Sequence, residues 1–217
     1  MNEQLLEKIL NNPVIPVFYD DDLQTCIAIL KSCYAGGIRV FEFVNRGREA
    51  KANFKALLAY KEEHFPDLSL GIGTIMNPED AERFIDLGTD FLVSPIFNES
   101  IAAIAQKNNI LWIPGCMTPS EIAAANLAGC TYIKLFPGDT LGPGFLKSIR
   151  PVFPNIRFMP TGGVECAADN IKTWFEAGVS SVGLGSKLFS KKDGQYDLAQ
   201  IEDNCRNLLA WATKKGT

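Results

Sequence analysis

The stretch Tyr132-Ile133-Lys134-Leu135-Phe136-Pro137-Gly138 sets one lysine into a short apolar run that ends in Pro-Gly. A strand alternates its side chains between two faces, so Tyr132, Lys134 and Phe136 point one way and Ile133 and Leu135 the other. A lysine so placed either snorkels to water at the strand end or sits desolvated. Burial disfavours the ammonium form, and the free amine is the form that attacks a carbonyl. An ordinary lysine, with a pKa of about 10.4, is almost fully charged at neutral pH, and lowering that value to about 7 costs roughly 4 to 5 kcal/mol. The chemistry that would use a desolvated Lys134 is imine formation with a ketone.

Other reactive residue types fall at the ends of similar apolar runs. They are Glu42 with Arg46, Thr74, Ser94-Pro95, Phe136, Thr161-Gly162-Gly163 and Gly185-Ser186. Each alone has a structural reading: a strand-end charge, a solvated loop residue, a helix cap, a plain turn. Together they make a carboxylate, a guanidinium, a lysine, hydroxyls and glycine-rich turns. Glu42 can move the protons that carbinolamine and enamine steps require, directly or through one water. Arg46 offers a planar fork suited to a carboxylate. Gly162-Gly163 and Gly185-Ser186 suit a phosphate held by backbone N–H groups.

Those residues need a scaffold that brings strand ends together. Val14–Phe18 reads as a strand, and Asp20-Asp21-Asp22 as the N-terminus of a helix with Leu23, Ile27, Leu30 and Tyr34 on one stripe. Gly36-Gly37 stops that helix. The alternation then repeats, with strands expected at 38–44, 68–74, 91–95, 111–115, 132–136, 157–161 and 181–185. Helices are expected at 48–64, from Asn77-Pro78, at 98–109, from Thr118-Pro119-Ser120-Glu121, from Gly142-Pro143-Gly144 to 153, at 167–177 and over the C-terminal stretch. Asn77 and Thr118 are caps with proline at the first helical position, and Thr118 with Glu121 forms a capping box. About eight strand–helix units with short connections imply a parallel α/β architecture, and at this length a (β/α)8 TIM barrel rather than an open sheet. The segment from Met1 reads as an extra amphipathic N-terminal helix. No G-x-G-x-x-G follows the first strand, which weighs against a dinucleotide fold. The reading is one domain over 1–217. In such a barrel the polar residues gather at the C-terminal ends of the strands.

Composition narrows the functional classes. Apolar residues make up 47% of the 217 and charged ones 21%, the balance of an ordinary globular chain. A net charge of −4 with interspersed signs gives no nucleic-acid footprint. No apolar run reaches membrane-spanning length and no signal peptide opens the chain. The six scattered cysteines, without a C-x-x-C, read as reduced and mostly buried in a cytoplasmic protein. With His64 alone, in a polar helix end, a histidine-based metal cluster is excluded.

Glu42-x-x-x-Arg46, Gly71-x-Gly73-Thr74, Ser94-Pro95, Pro114-Gly115, Lys134-x-Phe136-Pro137 and Pro160-Thr161-Gly162-Gly163 follow one another along the chain. In that order they resemble the KDPG/KHG aldolase family, the class I aldolases of 2-keto-3-deoxy-6-phosphogluconate and 4-hydroxy-2-oxoglutarate. The resemblance covers nearly the whole chain and implies a homotrimer of TIM barrels acting without cofactor or metal on a small 2-keto acid. It implies Lys134 as the Schiff-base lysine and Glu42 as the acid/base. It further implies Arg46, Thr74 and Thr161 at the pyruvate carboxylate, Pro95 and Phe136 packed around the pyruvyl group, and Gly162, Gly163, Gly185 and Ser186 at a phosphate. Val44-Asn45, Ile96, Gly138-Asp139, Leu184 and Lys187 depart from the family pattern, on the aldehyde side of the substrate. The 6-phosphogalactonate epimer is the alternative substrate within that chemistry. A silent barrel that only binds a phosphate or keto acid is the alternative of a different class.

Overall fold

The computed structural model describes residues 3–189, 191–192 and 194–213. Chain punctuation sets the elements. Helix α1 (Glu3–Asn11) leads into strand β1 (Val14–Phe18), and Asp22 caps α2 (Leu23–Ala35) by accepting from Thr25 N at 2.7 Å. Gly36-Gly37 ends α2, Gly37 at φ 97°, where a side chain would strain the backbone. The fully buried stripe of α2 is Cys26, Ile29, Leu30 and Cys33, one step round from the expected one, with Leu23, Ile27 and Tyr34 at its margin. Then come β2 (Val40–Val44), α3 (Ala50–His64), β3 (Ser69–Gly73), α4 (Pro78–Asp86), β4 (Phe91–Val93) and α5 (Glu99–Lys107). Next are β5 (Leu111–Ile113), β6 (Gly115–Cys116) and α6 (Pro119–Leu127), the last opened by the Thr118–Glu121 capping box. The remainder is β7 (Tyr132–Leu135), α7 (Gly138–Ile149), β8 (Arg157–Pro160), α8 (Ala168–Ala177), β9 (Val182–Leu184), a hairpin of β10 (Lys191–Lys192) and β11 (Gln195–Tyr196), and α9 (Leu198–Thr213).

Two of these depart from expectation. Helix α7 begins at Gly138, directly after the lysine strand, and Gly142 at φ 69°, ψ 170° breaks it where a helix start was expected. The β10–β11 pair was not expected at all, although Asp193-Gly194 is a hairpin signal and Gly194 takes φ 81°.

All strands other than the hairpin pair in parallel, in the orders β5-β4-β3-β2-β1-β9 and β6-β7-β8. The two sheets meet twice. Pro114 separates β5 from β6, and its carbonyl accepts the Lys134 N–H at 2.8 Å. At the other seam Thr161, just beyond β8, bridges Gly183 of β9. The result is a curled parallel sheet with helices outside.

The alternation expected around Lys134 holds. Ile133 and Leu135 join the outer core, which packs Phe41, Phe43, Leu70 and Ile72 against helical Phe54 and Trp174. Tyr132 faces the inner core with Ile15, Val40, Phe91, Val93, Leu111, Ile113 and Met159, and Leu5, Leu6 and Ile9 of α1 complete that cluster. All six cysteines are free, five of them buried, and His64 closes α3 half-exposed. Among the described residues no helix is long and apolar enough to cross a membrane.

Candidate active site

Lys134 and Glu42 meet inside the curled sheet. Strand β2 presents Glu42 in register with Gly71 of β3 and Val17 of β1, and β7 presents Lys134 opposite Gly115 of β6 and Met159 of β8. Lys134 Nζ lies 3.6 Å from Glu42 Oε1, with the two side chains only 7% and 1% exposed. The other carboxylate oxygen of Glu42 is buried without a hydrogen-bond partner among the described residues. Burial pushes the Glu42 carboxyl above its ordinary range, while the charges of Lys134 and, less, Arg46 pull it back. Gly73 makes the room, because a Cβ there would overlap Glu42 Oε1.

The remaining expected residues lie just past the ends of β2, β3, β4, β7, β8 and β9. Phe136 follows β7 with its ring centroid 5.3 Å from Lys134 Nζ. Thr161 is half-buried, yet its hydroxyl oxygen is fully enclosed and has no hydrogen-bond partner among the described residues. Gly183 leaves space for that hydroxyl, since a Cβ there would come within 2.5 Å of it. Thr74, just past β3, sits at φ 62°, a conformation that costs a β-branched residue about 1 to 3 kcal/mol. Pro95 follows β4, and its carbonyl borders Gly115 closely enough to leave no room for a Cβ. Arg46 leaves the end of β2 with its side chain exposed.

Gly162 and Gly163 turn after β8 with φ 94° and 68°, against the start of α7. Gly185 and exposed Ser186 turn after β9, where Leu188 N donates to Gly185 O. Lys187 is exposed beside them. Sequence reasoning missed what holds the first turn. Asn170 Nδ2 and Trp174 Nε1, both on α8, donate to Gly163 O at 3.0 and 3.2 Å, and Asn170 Oδ1 accepts from Glu165 N. An asparagine in the first turn of a helix was the available signal. A cleft of about 370 Å³ lies outside this turn, lined by Asp139, Gly163, Asn170 and Trp174 among others, and includes neither Lys134 nor Glu42.

A primary amine and a carboxylate with raised proton affinity thus share one desolvated space, and the enclosed Thr161 hydroxyl and the glycine turns follow the ends of β8 and β9. This set suits carbonyl chemistry through an imine. Against known proteins, the model of the KDPG and KHG aldolase family matches residues 5–203. The chain belongs to the KDPG and KHG aldolase family. Among members of that family, the KHG/KDPG aldolase of Escherichia coli K12 is 32% identical over 163 residues, 74% of this chain and 75% of the relative. The 2-dehydro-3-deoxy-6-phosphogalactonate aldolase of the same organism is 31% identical over 121 residues, 55% of this chain and 58% of the relative. A solved KDPG aldolase from Legionella pneumophila, with pyruvate captured at low pH as a covalent carbinolamine intermediate, superposes with a TM-score of 0.83. It is 28% identical, over 94% of this chain and 97% of that one.

Proposed function

We infer that this chain is a class I aldolase that reversibly cleaves a 2-keto-4-hydroxy acid into pyruvate and an aldehyde. The candidate substrates are 2-keto-3-deoxy-6-phosphogluconate, giving glyceraldehyde 3-phosphate, and 4-hydroxy-2-oxoglutarate, giving glyoxylate. The 6-phosphogalactonate epimer is a further candidate, supported by the E. coli relative. The observation that carries this reading is the buried Lys134–Glu42 pair at 3.6 Å.

In the mechanism, the Lys134 amine attacks the C2 carbonyl to form a carbinolamine. Loss of water, with a proton delivered through Glu42, gives the iminium. A base, Glu42 directly or through one water, takes the C4 hydroxyl proton. The C3–C4 bond breaks, its electron pair enters the iminium as an enamine, and the aldehyde leaves. Protonation at C3 and hydrolysis return pyruvate and the free lysine. Arg46, Thr74 and Thr161 hold the carboxylate, and Phe136 and Pro95 pack the pyruvyl carbon. Gly162, Gly163, Gly185 and Ser186 receive the phosphate when there is one. The imine supplies the electrophile that a divalent ion supplies in class II aldolases. The two sheets and their two seams are read as one closed (β/α)8 barrel with α1 as the extra helix. A homotrimer and a cytoplasmic setting are proposed on the resemblance alone.

Borohydride reduction in the presence of pyruvate, followed by mass spectrometry of the Lys134 peptide, tests the mechanism. A reduced pyruvyl adduct on Lys134, absent from folded Lys134→Ala, is expected. Surviving aldol cleavage in Lys134→Ala would overturn the imine assignment. A folded wild type that gives no adduct and no cleavage would move the chain to the binding-only reading.

A further inference from the structure

The segment carrying Arg46 is pinned on both flanks, and the residue that pins one of them has no part in the chemistry above. On the β3 side, Asn45 N donates to Gly73 O at 2.8 Å, and Asn45 Nδ2 reaches Asp80 Oδ2 at 3.4 Å. On the β1 side stands Tyr19, the residue after β1. Its ring packs on Phe43 of β2 with centroids 5.6 Å apart. Gly47, immediately after Arg46, passes so close that a Cβ on it would lie 2.5 Å from the Tyr19 hydroxyl oxygen. Gly47 also has φ 101°, so glycine is required there twice over. The backbone of Glu49 acts on the same phenol.

Tyr19 is itself held. Its hydroxyl donates a short hydrogen bond to Asp21 Oδ1. Burial and Asp21 push the phenol up to about 12, so it stays a donor throughout the working range. Buried Asn53 of α3, the helix that follows the 46–49 segment, holds the loop after β1, donating to Asp20 O at 3.2 Å and Asp21 O at 2.9 Å.

We propose that Tyr19, oriented by Asp21, is a positioning residue that fixes the 46–49 segment so that Arg46 presents its guanidinium to the substrate carboxylate. This rests on the carboxylate role given to Arg46 above. An arginine on a long flexible stem binds a carboxylate well only when its backbone is placed beforehand, and an exposed side chain on a surface loop has no packing of its own to do this.

The test uses the intact protein and two probes: pyruvate, and pyruvamide as its uncharged counterpart. Affinity is read from the concentration dependence of borohydride-trapped adduct for wild type, Tyr19→Phe, Arg46→Gln and the double variant. Tyr19→Phe keeps the ring and removes the hydroxyl. It is expected to weaken pyruvate by about three- to tenfold, the value of one hydrogen bond. Pyruvamide and the maximal trapping rate should be unchanged. Adding Tyr19→Phe to Arg46→Gln should cost nothing further. Equal weakening of both probes, or full additivity in the double variant, overturns the proposal by showing a general structural role. If Arg46→Gln fails to lose selectivity for pyruvate, the carboxylate reading falls and this proposal with it. If Arg46→Gln loses it while Tyr19→Phe keeps it, only the proposal falls.

Discussion

Glu42 is where single atoms decide the outcome. Burial holds its carboxyl above the ordinary 4.5, against the pull of Lys134 and Arg46. If its carboxylate takes protons during turnover, kcat/KM should rise with pH along a limb centred above that ordinary value. Glu42→Gln should flatten this limb and lower kcat more than pyruvate affinity, as a pH series of steady-state rates would record. Stability has the opposite slope. Between the ordinary value and the raised one, the unfolded chain has released a proton that the folded chain keeps, so stability falls as pH rises through that window. Urea midpoints measured across it should lose this component in Glu42→Gln. Gly73 is the neighbouring test: Gly73→Ala forces a methyl into Glu42 Oε1, and should cost about 1 to 3 kcal/mol in a thermal melt. Its kcat should fall at least tenfold while Lys134 can still be trapped.

At the level of elements, much was legible because caps and periodicity are local. Thr118–Glu121, Asn77-Pro78 and Asp22 each open the helix expected of them. Glu42, Lys134, Thr74 and Thr161 were expected at strand ends from the strand–helix order, and in the structure Lys134 and Glu42 lie 3.6 Å apart. The distribution of space was not legible. Nothing local says that Gly73 is empty for Glu42 or Gly183 for Thr161, because both facts concern strands brought alongside by the fold. The early start of α7 was hidden for the same reason. Gly138 N donates to Thr161 O across the β7–β8 pair, which draws the chain out of the strand sooner than its apolar run suggests. Asn170 belongs here too. It joins the first turn of α8 to the Gly162-Gly163 turn, so Asn170→Ala frees the Glu165 N–H and leaves Gly163 O to Trp174 Nε1 alone. With each hydrogen bond contributing about 1 kcal/mol, kcat/KM on a phosphorylated substrate should drop by about tenfold. Trapping of pyruvate should be unaltered, and an equal loss in both assays would remove Asn170 from the cradle.

Across the whole molecule, stability and chemistry sit at opposite ends of the sheet. Helix α1 inserts Leu5, Leu6 and Ile9 among the inner residues of six strands, far along the chain from most of them. Ile9 is fully buried, so Ile9→Ala should destabilise the fold by about 2 to 5 kcal/mol by denaturant titration. Activity per folded molecule should be retained, since the ion pair of Lys134 is with Glu42 of β2 and not with α1.

The inward-facing glycines carry a consequence for how such a chain can change over time. The interior behaves as a shaft with a solid floor: Tyr132, Met159 and Phe91 fill its base, while Gly73 and Gly183 leave its upper wall bare. A bare wall has no side chains to exchange, so the pocket around the amine can hardly be reshaped one substitution at a time. The rim is different, because the residues after each strand contribute little to the floor. New aldehyde partners are therefore reached by rewriting the rim, and descendants of this chain can diversify in what they join to pyruvate while remaining bound to pyruvate itself.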